Sequence, residues 1–198
     1  ERKSLDLLSA AKAIRVPQTI LDAETEQFQF LVLEFIEGSE RNGSYWKFFG
    51  KQHAELHMTS NHVFGLDYDN YIGSLPQSNK QCSTWSDFFL NQRLRPQIEL
   101  ASLNGRFTTG DRQRLDKVIE KIPSLIPEEK TSLLHGDLWA GNILSDLTGA
   151  PVVIDPAIYF GNREVDLAMT FLFGGFDHDY LRAYEHHFPL IPGLSNRI

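Results

Sequence analysis

The residues with the clearest chemical potential lie in the segment 135–142 and in Asp155, thirteen positions further on. The segment contains a carboxylate, Asp137, and ends with an amide, Asn142. Residues 142–155 have the pattern of a short strand, a turn rich in Asp and Gly, and a return strand, which predicts a β-hairpin. Because the open ends of a hairpin lie side by side, we expect the three polar side chains to converge.

Two carboxylates and an amide are hard oxygen donors, which suit Mg²⁺ and suit zinc poorly. Phosphoryl transfer needs such a cation to neutralise developing charge, and a carboxylate to orient the attacking hydroxyl and accept its proton. Asp137 is placed for the second task, and Asn142 and Asp155 are placed for the first. An ordinary turn would explain any one of these residues, but all three at these spacings favour a catalytic site.

The surrounding elements predict a mixed α and β architecture. Residues 4–13 and 45–58 have helical spacing, and residues 28–36 are β-branched and aromatic enough for a buried strand. A longer helix is predicted over 85–103, which Pro96 should kink or divide. Further predicted elements are a polar loop at 59–83, a helix from Asp111 to near Pro123, a strand from Thr131, and helices at about 164–173 and 177–187.

Composition narrows the function classes. The 198 residues are 41% hydrophobic, and 19 basic against 26 acidic residues give a formal charge of −7. No stripe of Lys and Arg occurs, so we expect no nucleic-acid partner. The apolar stretches are too short to span a membrane, so we expect no membrane partner. The single cysteine, Cys82, cannot form an intrachain disulfide, which predicts a reducing, cytoplasmic setting.

The loop at 135–142 and the aspartate that follows it resemble the protein-kinase-like pattern. Residues 134–142 in full resemble the aminoglycoside and choline kinase branch, and within it the fructosamine (ketosamine) kinase family. Pro156 and Ala157 stand where protein kinases have Phe-Gly, which favours the small-molecule branch. Other stretches that resemble this family lie at 14–17, 70–74, 93–97, 154–157, 159–161 and 173–176.

The resemblance implies an α+β, protein-kinase-like fold. Residues 1–38 would be the remnant of the small β lobe with the hinge, and residues 39–198 the mostly helical large lobe that carries the catalytic-loop hairpin. The resemblance also implies a Gly-rich phosphate loop and a nucleotide-binding lysine before the first helix, and a helical segment beyond Ile198, none of which this sequence contains. We therefore expect a chain truncated at both ends, which binds ATP poorly and is inactive alone.

The resemblance also implies a nucleotide site. Glu34, Phe35 and Ile36 would form the hinge, with backbone groups of Glu34 and Ile36 bonding the adenine edge of ATP. Glu1 matches the helix glutamate that pairs with the nucleotide-binding lysine. That assignment rests on the resemblance alone, since a terminal Glu is otherwise a solvated charge.

Other residues would support the catalytic loop. The resemblance implies that Asp166 braces the loop from below, although a first-turn Asp is also favoured by the helix dipole. His135 is expected to hold the loop through hydrogen bonds, not to take protons. Trp139 would either wall the sugar site or anchor the loop.

The function implied is an ATP- and Mg²⁺-dependent kinase that phosphorylates a sugar hydroxyl of ketosamines, free or on glycated proteins. One alternative is an aminoglycoside or choline kinase, which keeps the chemistry and changes the acceptor. Another is a kinase-fold binding module without catalysis, which the intact Asp137, Asn142 and Asp155 disfavour.

His53 and His57 form a second candidate site, for a metal ion. His53 and His57 lie one helical turn apart, as two metal ligands would. The intervening Glu55 is not at the position that the zinc-protease motif requires, and the sequence indicates no third ligand. Helix packing and capping are therefore favoured for this pair.

Overall fold

The computed structural model describes all 198 residues, as seven α-helices and eight short β-strands. The helices are α1 (Arg2–Ala11), α2 (Tyr45–His57), α3 (Trp85–Phe88), α4 (Arg95–Leu103), α5 (Thr109–Leu125), α6 (Glu164–Phe173) and α7 (His178–His187). The strands are β1 (Thr19–Glu24), β2 (Gln29–Leu33), β3 (Asn70–Ile72), β4 (Leu75–Gln77), β5 (Ser132–Leu134), β6 (Ile143–Ser145), β7 (Pro151–Val153) and β8 (Tyr159–Gly161). No helix combines the length and the apolar character needed to cross a bilayer.

All strands pair antiparallel, in four separate two-stranded ladders: β1 with β2, β3 with β4, β5 with β8, and β6 with β7. The β6–β7 ladder is the predicted hairpin, with Ile143 opposite Val153. The β5–β8 ladder holds the chain on both sides of residues 135–142, the predicted catalytic loop, since Leu134 pairs with Tyr159.

The prediction of a buried strand at residues 28–36 is wrong in its burial. Strand β2 forms there, but Phe30 is 47% exposed and Val32 is 43% exposed. A ladder of only two strands cannot cover both of its faces, so apolar side chains reach solvent even where the backbone is regular.

The main core lies between α2 and α7 and beneath β5. Phe49 of α2 stacks on Tyr180 of α7, with ring centroids 5.3 Å apart, and both side chains are buried. Gly50 permits this close approach, because a Cβ there would collide with the backbone carbonyl of Tyr180. Each buried aromatic side chain of this kind contributes several kcal/mol, roughly 3–5 when truncated to alanine.

Pro96 divides the predicted helix at 85–103, as expected. The chain passes from α3 into a π-helical segment, Phe89–Leu94, and α4 begins at Arg95 with Pro96 in its first turn. Because Pro96 has no N–H, the regular hydrogen-bond ladder cannot continue through it, and the backbone register changes at that point.

The β3–β4 ladder and strand β8 were not predicted from the sequence. The first lies inside the segment 59–83, which was expected to be a loop, and the second follows Asp155. Each of these strands has three residues, too few to show a clear period of two. Gly73, at φ +56°, makes the turn between β3 and β4.

The catalytic loop depends on a close approach at Gly136. This residue has φ +82°, and a Cβ there would collide with the carbonyl group of Ala157. The loop therefore excludes any side chain at this position, both through its backbone angle and through the space available.

Replacing Gly136 by alanine is expected to reduce the free energy of unfolding by about 3 kcal/mol, because left-handed strain and a backbone clash act together. Gly105→Ala is the matched control, since Gly105 has φ +64° with open space around its Cβ position. It should lose only about 1 kcal/mol. Urea unfolding followed by circular dichroism measures both, and equal losses would contradict the predicted clash.

Candidate active site

The structure brings Asp137 and Asn142 into direct contact. The Asn142 side-chain amide donates to the backbone carbonyl of Asp137 at 2.9 Å and to its Oδ2 at 3.2 Å. The N–H of Ile154 donates to the carbonyl of Asn142 at 3.1 Å, which closes the open end of the hairpin. Asp155, the next residue, therefore lies beside Asn142, as the hairpin spacing predicted.

Asp155 has an unusual backbone conformation. Its φ is +51°, and the only other non-glycine residue with positive φ is Lys12, which ends α1. The Asp155 carboxylate is exposed and makes no hydrogen bond or ion pair within the chain. Such conformations cost about 1–3 kcal/mol and concentrate at functional sites.

The three residues face one cleft of about 840 Å³. Its other walls come from the start of α1, from β1 and β2, and from the segment that leads into β3. Partial burial raises the pKa of Asp137 above its ordinary value, and the nearby charge of Asp155 acts in the same direction, while His135 and Asn142 oppose it.

His135 connects the catalytic loop to the hairpin from a fully buried position. Its Nε2 lies 2.9 Å from the carbonyl oxygen of Ile154, and its Nδ1 lies 3.3 Å from the backbone nitrogen of Asp137. Both contacts are satisfied by a neutral ring that donates from Nε2 and accepts at Nδ1. Burial lowers the pKa of His135, which favours this neutral form.

Asp166, on α6, holds the loop from the other side. Its Oδ2 accepts the backbone N–H of His135 at 2.7 Å, and its Oδ1 accepts the N–H of Gly136 at 2.9 Å. The carboxylate is completely buried. Asp166 thereby attaches α6 to the backbone at His135 and Gly136.

The histidine pair of α2 completes the same network, which sequence reasoning missed. Nε2 of His53 and Nε2 of His57 lie 3.4 and 3.2 Å from Oδ2 of Asp166. Their Nδ1 atoms contact the hydroxyls of Tyr180 at 2.9 Å and Tyr184 at 2.7 Å. Every ring nitrogen therefore has a hydrogen-bond partner within the protein, which agrees with the packing role expected for this pair. Asp166 also supplies the third candidate metal ligand that the sequence did not indicate, since its carboxylate and the two Nε2 atoms lie within 4.8 Å of one another.

The protonation states in this network follow from burial and hydrogen bonding. Burial opposes the ionisation of Asp166, but hydrogen bonds from His53 and His57 outweigh it and hold the pKa of this carboxyl far below its usual range. Burial, followed by the charge of His53, lowers the pKa of His57 to about 3. An ionised Asp166 and a neutral His57 are the consistent pair at neutral pH.

The predicted hinge residues lie outside the cleft. The side chain of Glu34 accepts from Arg15 at 2.5 Å, and Arg15 also pairs with Asp146 in the β6–β7 turn. The N–H of Glu34 donates to the carbonyl of Gln18 at 2.8 Å, so this N–H is not available to a ligand. The Glu34 carbonyl and the N–H of Ile36 make no hydrogen bond within the chain.

Glu1 does line the cleft. Its carbonyl accepts the N–H groups of Ser4 at 2.9 Å and Leu5 at 3.1 Å, which starts α1. Phe35, the middle residue of the predicted hinge, does not line the cleft, and its side chain is 87% exposed.

Comparison with known proteins shows which family this chain belongs to. The family model described as fructosamine kinase matches residues 1–198. The chain belongs to the fructosamine kinase family. A probable ketoamine kinase of Synechocystis sp. is 38% identical over 200 residues, which cover 100% of this chain and 66% of that protein.

Solved structures support the same assignment for this fructosamine kinase family member. A candidate fructosamine-3-kinase from Thermobifida fusca is 35% identical with a TM-score of 0.89. The match covers 100% of this chain and 67% of that protein. A second candidate fructosamine-3-kinase, from Haemophilus somnus, is 29% identical with a TM-score of 0.90. The match covers 100% of this chain and 66% of that protein. The chain thus spans about two thirds of the length of these relatives.

The predicted protein-kinase-like α+β fold is confirmed. Antibiotic phosphotransferases that are 16–21% identical to the chain share it at TM-scores of 0.53–0.58. At that level of identity the likeness concerns the fold alone.

Trp139 contacts its own loop and also lines the cleft in this family member. Its ring covers Gly141, where a Cβ would overlap the indole, and it lies 6.5 Å from the ring of Phe173. It also lines the cleft and is 43% exposed. Trp139 therefore anchors the loop with one face and presents apolar surface to the cleft.

Proposed function

We propose that this family member acts as a kinase that transfers the γ-phosphoryl group of ATP to a hydroxyl of a ketosamine. The observation that carries the proposal is the convergence of Asp137, Asn142 and Asp155 at one cleft. Family membership supports the acceptor class, a fructosamine or related sugar amine, free or on a glycated protein. It also disfavours an aminoglycoside or choline acceptor.

Asp137 is the proposed catalytic base. The Asn142 amide donates to its Oδ2, which fixes the carboxylate rotamer and leaves Oδ1 available to an acceptor hydroxyl. The loop that carries Asp137 is held by His135 and Asp166, so the base has little freedom to move. Orientation and proton acceptance are the two tasks that phosphoryl transfer asks of such a residue.

The donor set fits a magnesium ion. Asn142 commits its amide nitrogen to Asp137, which leaves its Oδ1 free, and Asp155 offers an unpaired carboxylate beside it. Both are hard oxygen ligands of the kind Mg²⁺ takes in nucleotide sites. When bound, the ion would supply positive charge to the nucleotide phosphates.

The hinge, whose residues do not line the cleft itself, is the proposed adenine contact and the boundary between a small lobe at 1–38 and a large lobe at 39–198. The free carbonyl of Glu34 suits the adenine amino group, and the free N–H of Ile36 suits a ring nitrogen. Arg15 ties this hinge to the hairpin turn through its pairs with Glu34 and Asp146. Adenine recognition through backbone groups explains why an exposed Phe35 is tolerated between them.

Asp155→Ala is expected to weaken Mg²⁺-dependent nucleotide binding more than Asn142→Ala does. A carboxylate contributes charge and a lone pair, whereas an amide contributes only the lone pair. Titration of Mg²⁺ against a fluorescent ATP analogue measures both variants. Equal losses, or a preference for Zn²⁺, would contradict the proposed site.

A further inference from the structure

The β3–β4 hairpin forms a wall of the cleft that none of the proposed roles explains. Asp69, Asn70, Tyr71 and Gly73 line the same cleft as Asp137. The hairpin lies outside the catalytic loop and outside the β1–β2 ladder, with its own turn at Gly73. What it contributes must follow from how it is held and from what it exposes.

Buried amides fix this hairpin to the backbone just after Asp155. The side chain of Asn70 donates to the carbonyl of Ile158 at 2.8 Å, and that of Gln77 donates to the carbonyl of Ala157 at 3.1 Å. The N–H of Ala157 in turn donates to the carbonyl of His135 at 2.9 Å. The hairpin is therefore hydrogen-bonded to the short segment between Asp155 and β8, which is itself bonded to His135.

A second layer makes the attachment rigid. Asn79, which is completely buried, donates to Oδ1 of Asn70 at 2.8 Å and accepts from Arg93 at 2.6 Å. The guanidinium of Arg93 lies 4.0 Å from the ring centre of Tyr159 in β8. Linked buried hydrogen bonds of this kind hold the hairpin in one position, although Nε of Arg93 has no hydrogen-bond partner.

The hairpin exposes an aromatic ring and a carboxylate to the cleft. Tyr71 is 64% exposed, although Asn70 before it is buried and Ile72 after it pairs with Leu75 in the ladder. Asp69 accepts the backbone N–H of Asn79 at 2.7 Å through Oδ1, which directs the carboxylate. Its Oδ2 accepts no hydrogen bond within the chain, and Asp69 forms no ion pair.

This wall is suited to a cation and unsuited to a nucleotide. A carboxylate repels the triphosphate, so the nucleotide belongs at the small-lobe side of the cleft. A carboxylate beside an aromatic face attracts an ammonium group through charge and through the ring quadrupole. Ketosamines carry a secondary amine next to the sugar, and that amine is protonated near neutral pH.

We propose that Asp69 and Tyr71 form the subsite that binds the protonated amine of the acceptor. The inference rests on the proposed ketosamine kinase function and adds how the acceptor is distinguished from a neutral sugar. The sugar hydroxyl faces Asp137, and the rigid hairpin sets the position of the amine relative to it.

The test compares binding of an N-alkyl fructosamine with binding of fructose, by calorimetry or saturation-transfer NMR on the chain. Asp69→Asn keeps the hydrogen bond from Asn79 and removes the charge. It is expected to weaken binding of the amine about tenfold and to leave fructose binding unchanged. Tyr71→Ala should show a similar selective loss, and Tyr71→Phe should retain binding within about threefold because the ring remains.

Two controls match these changes. Asp67→Asn removes the same charge from a residue that faces a neighbouring depression, and Phe48→Ala removes an exposed aromatic ring on α2. Both should bind the amine within about twofold of wild type.

The possible outcomes separate the two proposals. If wild type prefers the amine but Asp69→Asn and Tyr71→Ala change both sugars equally or neither, the subsite is wrong and the kinase proposal stands. If wild type shows no preference for the amine, the subsite is also wrong. If wild type binds neither sugar, the result counts against the subsite and against the proposed acceptor class together.

Discussion

Asp137→Asn is expected to lower the rate of phosphoryl transfer by about 10²–10⁴-fold in the active form of this protein. The amide cannot accept the proton of the acceptor hydroxyl, while its shape and its contact with Asn142 are largely retained. Nucleotide binding should stay within a few-fold of wild type, because the proposed adenine contacts are backbone groups of the hinge. A coupled ADP-release assay with a fructosamine acceptor gives the rate, and a fluorescent ATP analogue gives the affinity.

The control for Asp137→Asn is Asp116→Asn, which removes a carboxylate from the exposed surface of α5. Its rate should equal that of wild type. Turnover by Asp137→Asn within a few-fold of wild type would remove Asp137 from the role of base. A loss of nucleotide affinity as large as the loss of rate would point to a damaged fold.

Asp166→Asn is expected to reduce the free energy of unfolding by about 3–5 kcal/mol, because two or more buried hydrogen bonds to a charged acceptor are lost. The Asp166 carboxylate accepts from two backbone N–H groups and from two histidines, and it is completely buried. An amide nitrogen in place of either oxygen would face donors instead of accepting from them, so buried N–H groups would be left without partners. Urea unfolding followed by tryptophan fluorescence measures the loss.

Tyr184→Phe is the matched control for this network. It removes one hydroxyl, which lies 2.7 Å from Nδ1 of His57, and leaves Asp166 untouched. The expected loss is about 1 kcal/mol. If Asp166→Asn were no more destabilising than Tyr184→Phe, the carboxylate would not be the centre of the network.

The parts of the site that were predictable are those built from neighbouring residues. Asn142 and Asp155 are joined by one hairpin, and the composition of its strands and turn predicted that their ends would meet. Asp137 and Asn142 lie in a single loop, so their contact also follows from short spacing. The buried strand predicted at 28–36 failed for the opposite reason, because burial depends on what packs above a strand.

The sequence by itself determined which oxygen donors are present, how they are spaced along the chain, and to which family the chain belongs. Only the tertiary structure decided what holds and surrounds them. His53 and His57 reach Asp166 across more than a hundred residues of sequence, and Asp69 and Tyr71 reach the cleft of Asp137 on a hairpin of three-residue strands. Local periodicity carries no information about such contacts, because they depend on how helices and strands pack, and packing is a property of the whole chain.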